Sequence, residues 1–84
     1  MTTNDLIQER KSTHGDWLVQ SELAFELRER MRASVNWPSL FPHQREALDM
    51  LATKISRILT GNPTEPDHWD DIAGYAMLGK QGHE

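Results

Sequence analysis

The chain has no cysteine, so neither a disulfide nor a thiolate zinc site can staple it. No apolar run approaches the roughly 18–20 residues of a membrane span, and the N-terminus lacks the apolar stretch of a signal peptide. These absences predict a cytoplasmic protein with no membrane partner. Sustained polar–apolar alternation is missing and β-branched residues are scattered, which argues against strands. No repeat, low-complexity tract or long linker divides the 84 residues. A single helical domain over residues 1–84 follows, with an ordered core of about 4–79. Positive charge is scarce too, with nine Lys and Arg against thirteen Asp and Glu and a net charge of −4. Non-specific nucleic-acid binding needs a basic surface, and this balance argues against it. Arg28, Arg30 and Arg32 alternate with Glu26 and Glu29, which reads as a solvated helix face.

What is present is helical periodicity. A chain this short sits near the lower limit for folding unaided, so a homodimer or higher homo-oligomer is expected to complete its core. A first helix is predicted over about Asn4 to Lys11, capped by Thr3 or Asn4. Gly15 suits its end, and Asp16 suits the next N-cap. The second helix runs from about Trp17 to Ala33, with Val19, Leu23, Leu27 and Met31 as its apolar stripe and Glu26 paired to Arg30. Asn36-Trp37-Pro38 ends that region. A third helix begins near Pro42 and continues to about Thr60, where Gly61-Asn62-Pro63 stops it through an αL-tolerant residue and a proline. A fourth begins near Asp67 and frays after Leu78, weakened by Gly79 and Gly82. The fold class is therefore all-α, a small bundle of one short and three longer helices.

The richest stretch runs from Glu46 to Tyr75. On the third helix Ala47, Leu48, Leu51, Ile55, Ile58 and Leu59 share one arc, with Glu46, Asp49, Thr53 and Arg57 opposite and Lys54 on the shoulder. Carboxylates bind hard cations such as Mg²⁺, whereas Lys and Arg bind phosphates. Arg45 paired to Asp49 at i,i+4 is the plainer account of that aspartate. On the fourth helix Asp67, Asp71 and Gly74 share a side. Asp67 suits either an N-cap, boxed with Asp70, or a metal ligand. Gly74 costs about 1 kcal/mol against alanine in a helix, which predicts close approach by another helix or a ligand. His14, His43, His68 and His83 lack a shared ligand spacing, so no zinc site is inferred. Trp17, Trp37 and Trp69 read as core or interface anchors in preference to base-stacking platforms. No nucleophile elbow, Walker loop or triad-like serine is present.

Gln44-Arg45-Glu46-Ala47-Leu48-Asp49-Met50, Lys54-Ile55-Ser56-Arg57-Ile58-Leu59, Gly61-Asn62-Pro63 and Trp69-x-Asp71-Ile72-Ala73-Gly74-Tyr75 together resemble a group of small phage and prophage proteins. His14-Gly15-Asp16 and Asn36-Trp37-Pro38 extend that resemblance to about residues 10–80. More distantly, the pattern is similar to MazG-like all-α nucleoside triphosphate pyrophosphohydrolases, which hold Mg²⁺ over a triphosphate with E-x-x-E and E-x-x-D pairs on successive helices. Glu46-x-x-Asp49 matches the first pair, with aspartate for the second glutamate. Asp71 matches the aspartate of the second, but His68 stands at its glutamate position, with Asp67 one residue earlier.

The resemblance implies a Mg²⁺-dependent pyrophosphohydrolase acting on nucleoside triphosphates, usually dimeric or tetrameric. Glu46, Asp49 and Asp71 would be its catalytic carboxylates and, with Asp67, its metal ligands. Lys54, Arg57 and Trp69 would bind substrate. His68 motivates an alternative, a non-catalytic binder of nucleotides or signal nucleotides serving phage counter-defence. Short length, three tryptophans and acidic charge motivate a third, a helical module that binds a host or phage protein.

Overall fold

The computed structural model describes residues 2–82 and, among them, contains helices and no strand. The elements are α1 (Thr3–His14), α2 (Trp17–Arg32), a single 3₁₀ turn (Trp37–Ser39), α3 (Pro42–Thr60) and α4 (Pro66–Lys80). An all-α bundle is thus the observed fold. No helix among the described residues is long and apolar enough to cross a membrane.

Local chemistry sets the helix ends. Thr2, one residue before the expected cap, accepts from the Asp5 amide while Asp5 accepts from the Thr2 amide. That reciprocal box satisfies two amides that the first turn would otherwise leave unpaired. Asp16 caps α2 as expected, its carboxylate accepting from the amides of Leu18 and Val19. Pro42 opens α3 at its first position, and Gln44 accepts from the Phe41 amide. Pro66 opens α4 with Glu65 at the N-cap, so Asp67 is not the cap. It stands in the first turn, where its charge still favours the helix dipole. The helix also continues past Leu78 to Lys80.

The helices form a layer. α3 packs closely against α4 on one side and α2 on the other, while α1 touches α2 and α3 lightly. At about 100° per residue, Ala47, Leu51, Lys54 and Ile58 point to one flank of α3, and Asp49, Ala52, Thr53 and Ser56 to the other. Small Ala52 and Ser56 are fully buried and let α2 approach. Leu48, Ile55 and Leu59 fall between the flanks and stay exposed, so the apolar arc expected to be core is largely a surface ridge. On α2 the buried positions are Gln20 and Ala24, with Val19 exposed. The stripe is thus displaced by one residue from the expected row.

Among the described residues, the buried apolar core consists of Ala24, Ala47 and Ala52. The radius of gyration is 14.4 Å, against about 12 Å for a compact chain of this length. Accessible surface is 6116 Å², whereas mass scaling gives roughly 5,100 Å² for a compact monomer. An open layer of helices leaves this excess.

Two glycines lock the top of the layer. Gly15 ends α1 at φ 87° and ψ −179°, a conformation open almost only to glycine. Gly61 ends α3 at φ −122°, an ordinary value, so left-handed backbone is not what requires it. Close approach is: a Cβ on Gly61 would lie 2.5 Å from the Thr13 carbonyl oxygen and from the His14 carbonyl carbon. A Cβ on Gly15 would overlap the Thr60 carbonyl in return. The two helix ends therefore interlock backbone to backbone.

Candidate functional site

The carboxylates singled out in the sequence do not converge within one chain. Asp49 pairs across the α2–α3 interface, 3.1 Å from Arg32 and 3.8 Å from Arg28. Arg28 also donates to the Asp49 carbonyl and to the Thr53 hydroxyl. Arg28 and Arg32 thus tie two helices together and are not a solvated face, and no Glu26–Arg30 pair is present. Arg45, the expected partner of Asp49, instead donates to the Pro38 carbonyl, and its guanidinium, like that of Arg32, lies over the Trp37 ring.

Asp71 receives Lys54 Nζ at 2.9 Å. That hydrogen bond and the ammonium charge hold its carboxyl below the usual aspartate range. Lys54 is 8% exposed, so its charge is desolvated and answered by Asp71. It has no ammonium to spare for a phosphate while that pair holds. Glu46 and Asp67 are exposed and form no ion pair among the described residues. No group of three or more His, Asp or Glu among the described residues stands close enough to hold a metal. As a test of fit, the donor set of one chain does not suit Mg²⁺, which asks for a tight octahedron of oxygens.

His68, at the position of the expected glutamate, is 1% exposed and donates from Nε2 to the Thr13 carbonyl at 2.9 Å. The Asn62 amide donates to the same oxygen at 3.1 Å. His68 therefore closes the junction of α1, α3 and α4, a structural duty. Its ring lies 5.1 Å from that of His14. His83 lies outside the described residues. Trp69 is exposed and donates from Nε1 to the Pro63 carbonyl, 2.9 Å away. It braces the α3–α4 loop. Gly74 is exposed with open space where a Cβ would go, so no element of this chain explains it by close approach.

Arg57 is the predicted site residue that keeps binding capacity. Among the described residues its buried Nε has no hydrogen-bond partner, and no carboxylate lies within ion-pair distance. It faces two adjoining cavities. One, about 380 Å³, lies between the end of α1 and the start of α2. Arg10, Lys11, His14 and Arg57 line it, with Asp16 as its single acid. The other, about 550 Å³, follows the α2–α3 groove past Ala24, Phe25 and Thr53. Trp17, Gln20 and Arg57 belong to both.

Burial and the nearby charges of Arg57, His68, Lys54 and Arg10 hold His14 below the ordinary histidine pKa. The imidazole is thus neutral near pH 7, and its Nδ1 is buried without a partner. A cluster of cations in an acidic chain, with unspent hydrogen-bonding atoms, can bind an anion.

Arg10, His14, Trp17 and Gln20 did not enter the expected site. Gln20 could have been noticed, because Gln20, Ala24, Leu27 and Met31 share a helical row and one polar member interrupts it. His14 depends on the chain reversing at Gly15, which spacing alone does not reveal. Comparison of the chain with protein-family models, with characterised proteins and with solved structures finds no match.

Proposed function

We propose that this protein binds a phosphorylated small molecule of the nucleotide class without catalysing its hydrolysis as a single chain. The observation that carries the reading is Arg57, whose buried Nε is unpartnered at the meeting point of two cavities. Arg10 adds charge, and neutral His14 adds hydrogen-bonding capacity, on the same side. A guanidinium held this way offers directed donors to phosphate oxygens, and partial desolvation strengthens them. Lys54 is engaged with Asp71 and takes no direct part. The protein would work in the bacterial cytoplasm, where nucleotides are abundant, as its resemblance to phage proteins implies.

The same reading includes a second copy. The surface excess of roughly 1,000 Å² over a compact monomer is close to the ~800 Å² that each partner of a standard interface buries. Leu48, Ile55 and Leu59 supply an exposed apolar ridge on the central helix for that contact. Homodimerisation is accordingly part of the proposal.

Calorimetric titration with the four ribonucleoside triphosphates and with tripolyphosphate, with Mg²⁺ and with EDTA, tests the binding reading. The expected result is binding that survives EDTA, yields no pyrophosphate and is lost in Arg57→Gln. A failure of every one of these anions to bind would overturn it.

Mg²⁺-dependent pyrophosphohydrolysis is the second reading, favoured by the exposed, unpaired carboxylates of Glu46 and Asp67. It needs carboxylates from another copy, because one chain does not gather its own. Pyrophosphate release that requires Mg²⁺ and disappears in Glu46→Ala would establish it over the binding reading. A host protein bound through the apolar ridge is the remaining class of partner. Persistence of the biological effect in Arg57→Gln would favour that class.

A further inference from the structure

The smaller cavity has features that an anion site does not need. Its walls are mostly apolar, with Ile7, Trp17 and Leu18 on the α1–α2 side. Trp17 is 67% exposed, so of the core or interface anchor expected from the sequence the core alternative does not hold, and its indole is a surface. Gln20 is 4% exposed, yet its side-chain amide makes no hydrogen bond among the described residues. Both the carbonyl and the NH₂ of that amide are therefore open to a ligand bringing a donor and an acceptor.

The comparison with the third cavity is informative. It lies between α3 and α4, with Leu48, Leu51 and Tyr75 in its lining, and no charged residue is among the residues that form it. Gln44 and the Tyr75 hydroxyl are its polar members, and it offers no cation to a phosphate. The α1–α2 cavity combines an aromatic face, an amide without a protein partner and a cationic end within about 380 Å³. That volume falls in the usual range for small-molecule sites.

We propose that the α1–α2 cavity receives the flat, polar ring of a nucleobase-like heterocycle, stacked on Trp17 and read at its edge by Gln20, with its phosphate end toward Arg57. The inference rests on the phosphate-binding reading above and adds the part of the ligand that distinguishes a nucleotide from a bare polyphosphate. An indole stacks on any base, and such stacking is sequence-tolerant. A glutamine amide presents a carbonyl acceptor beside an NH₂ donor, a pair that matches one edge of a heterocycle. Neutral His14, with its unpartnered Nδ1 in the same lining, completes the polar end.

The test compares ring and phosphate contributions in the full-length protein. ATP, GTP, CTP and UTP are titrated beside tripolyphosphate, with wild type, Trp17→Ala, Trp17→Phe and Gln20→Leu, each checked for fold by circular dichroism. At least one nucleotide is expected to bind about tenfold more tightly than tripolyphosphate. Trp17→Ala and Gln20→Leu should each erase most of that margin while tripolyphosphate affinity stays put, and Trp17→Phe should keep much of it. Because Trp17 is exposed, its replacement tests binding without emptying the core. Nucleotides that bind no better than tripolyphosphate, or a margin that survives both substitutions, would overturn the ring pocket and leave the Arg57 anion reading standing. Equal weakening of nucleotide and tripolyphosphate by Trp17→Ala would overturn it as well. Failure of tripolyphosphate and all four nucleotides to bind would overturn both.

Discussion

His68 donates from Nε2 to the Thr13 carbonyl oxygen across a separation of 55 residues, and that 2.9 Å bond fastens α4 to the end of α1. Thr13 lies in the last turn of α1, where a carbonyl has no amide four residues on within the helix, so its oxygen depends on His68 and the Asn62 amide. His68→Ala would empty a buried site and remove one of these donors. A loss of about 2–4 kcal/mol follows from cavity and hydrogen-bond costs together. His68→Gln, which can place an amide N–H near the Nε2 position, should recover part of it. His68→Glu is expected to be worse than alanine, because it sets a carboxylate against a carbonyl oxygen in a dry junction. Urea unfolding of the three variants orders them. A glutamate variant as stable as wild type, and newly active with Mg²⁺, would return position 68 to the metal-ligand role.

Glycine positions separate packing from conformation. Gly61→Ala puts its methyl group 2.5 Å from the Thr13 carbonyl oxygen, where only backbone could yield. A loss of about 1–3 kcal/mol is expected from overpacking. Gly74→Ala meets nothing, and its helical backbone gains by about 0.5–1 kcal/mol. Thermal melts should therefore move in opposite directions. A Gly74→Ala melt below wild type would reveal a partner helix or ligand pressed against that position.

The helices themselves were legible in the sequence because their signals are local. Pro42, Asp16, Gly15 and Pro63 each act within a turn of the boundary they set. The packing was less legible. A helix flanked on two sides, such as α3, buries Ala52, Lys54 and Ser56 and exposes Leu48 and Ile55, the reverse of what amphipathic periodicity assumes. The site followed the same pattern. Arg57 was visible as a cation on a helix, but its neighbours His14, Trp17 and Gln20 come from the two helices that meet at Gly15. Conversely, spacing placed Asp49 with Glu46, whereas Arg28 and Arg32 on α2 claim Asp49 in space.

Stability should depend on pH through His14. Burial and the surrounding Arg57, His68, Lys54 and Arg10 charges depress its folded pKa below 6.5. The unfolded chain then takes up a proton more readily than the folded chain as pH falls through about 6.5. Stability is highest above that value and declines toward the depressed folded pKa. Urea midpoints should fall between about pH 7.5 and 5.5, and His14→Gln should shrink the fall. An undiminished drop in His14→Gln would assign the pH response to another group. A bound polyphosphate should oppose the decline, since an anion beside His14 favours its protonated form.

The exposed ridge makes association the sharpest structural test. Leu48, Ile55 and Leu59 lie within about 40° of one another around α3 at 100° per residue, a continuous apolar line along the layer's centre. Ile55 is 40% exposed, so Ile55→Lys places its charge in solvent in the monomer and in the interface of a dimer. A desolvated, unpaired ammonium costs far more than the lost contact of one isoleucine. Sedimentation velocity should thus show wild type as a dimer and Ile55→Lys shifted to monomer. The variant's urea midpoint should become lower and independent of protein concentration, because a three-alanine core is then left without a partner. Wild type sedimenting as a monomer at all concentrations, with a midpoint that Ile55→Lys leaves unchanged, would show that the open layer is stable alone and that the ridge serves no second copy.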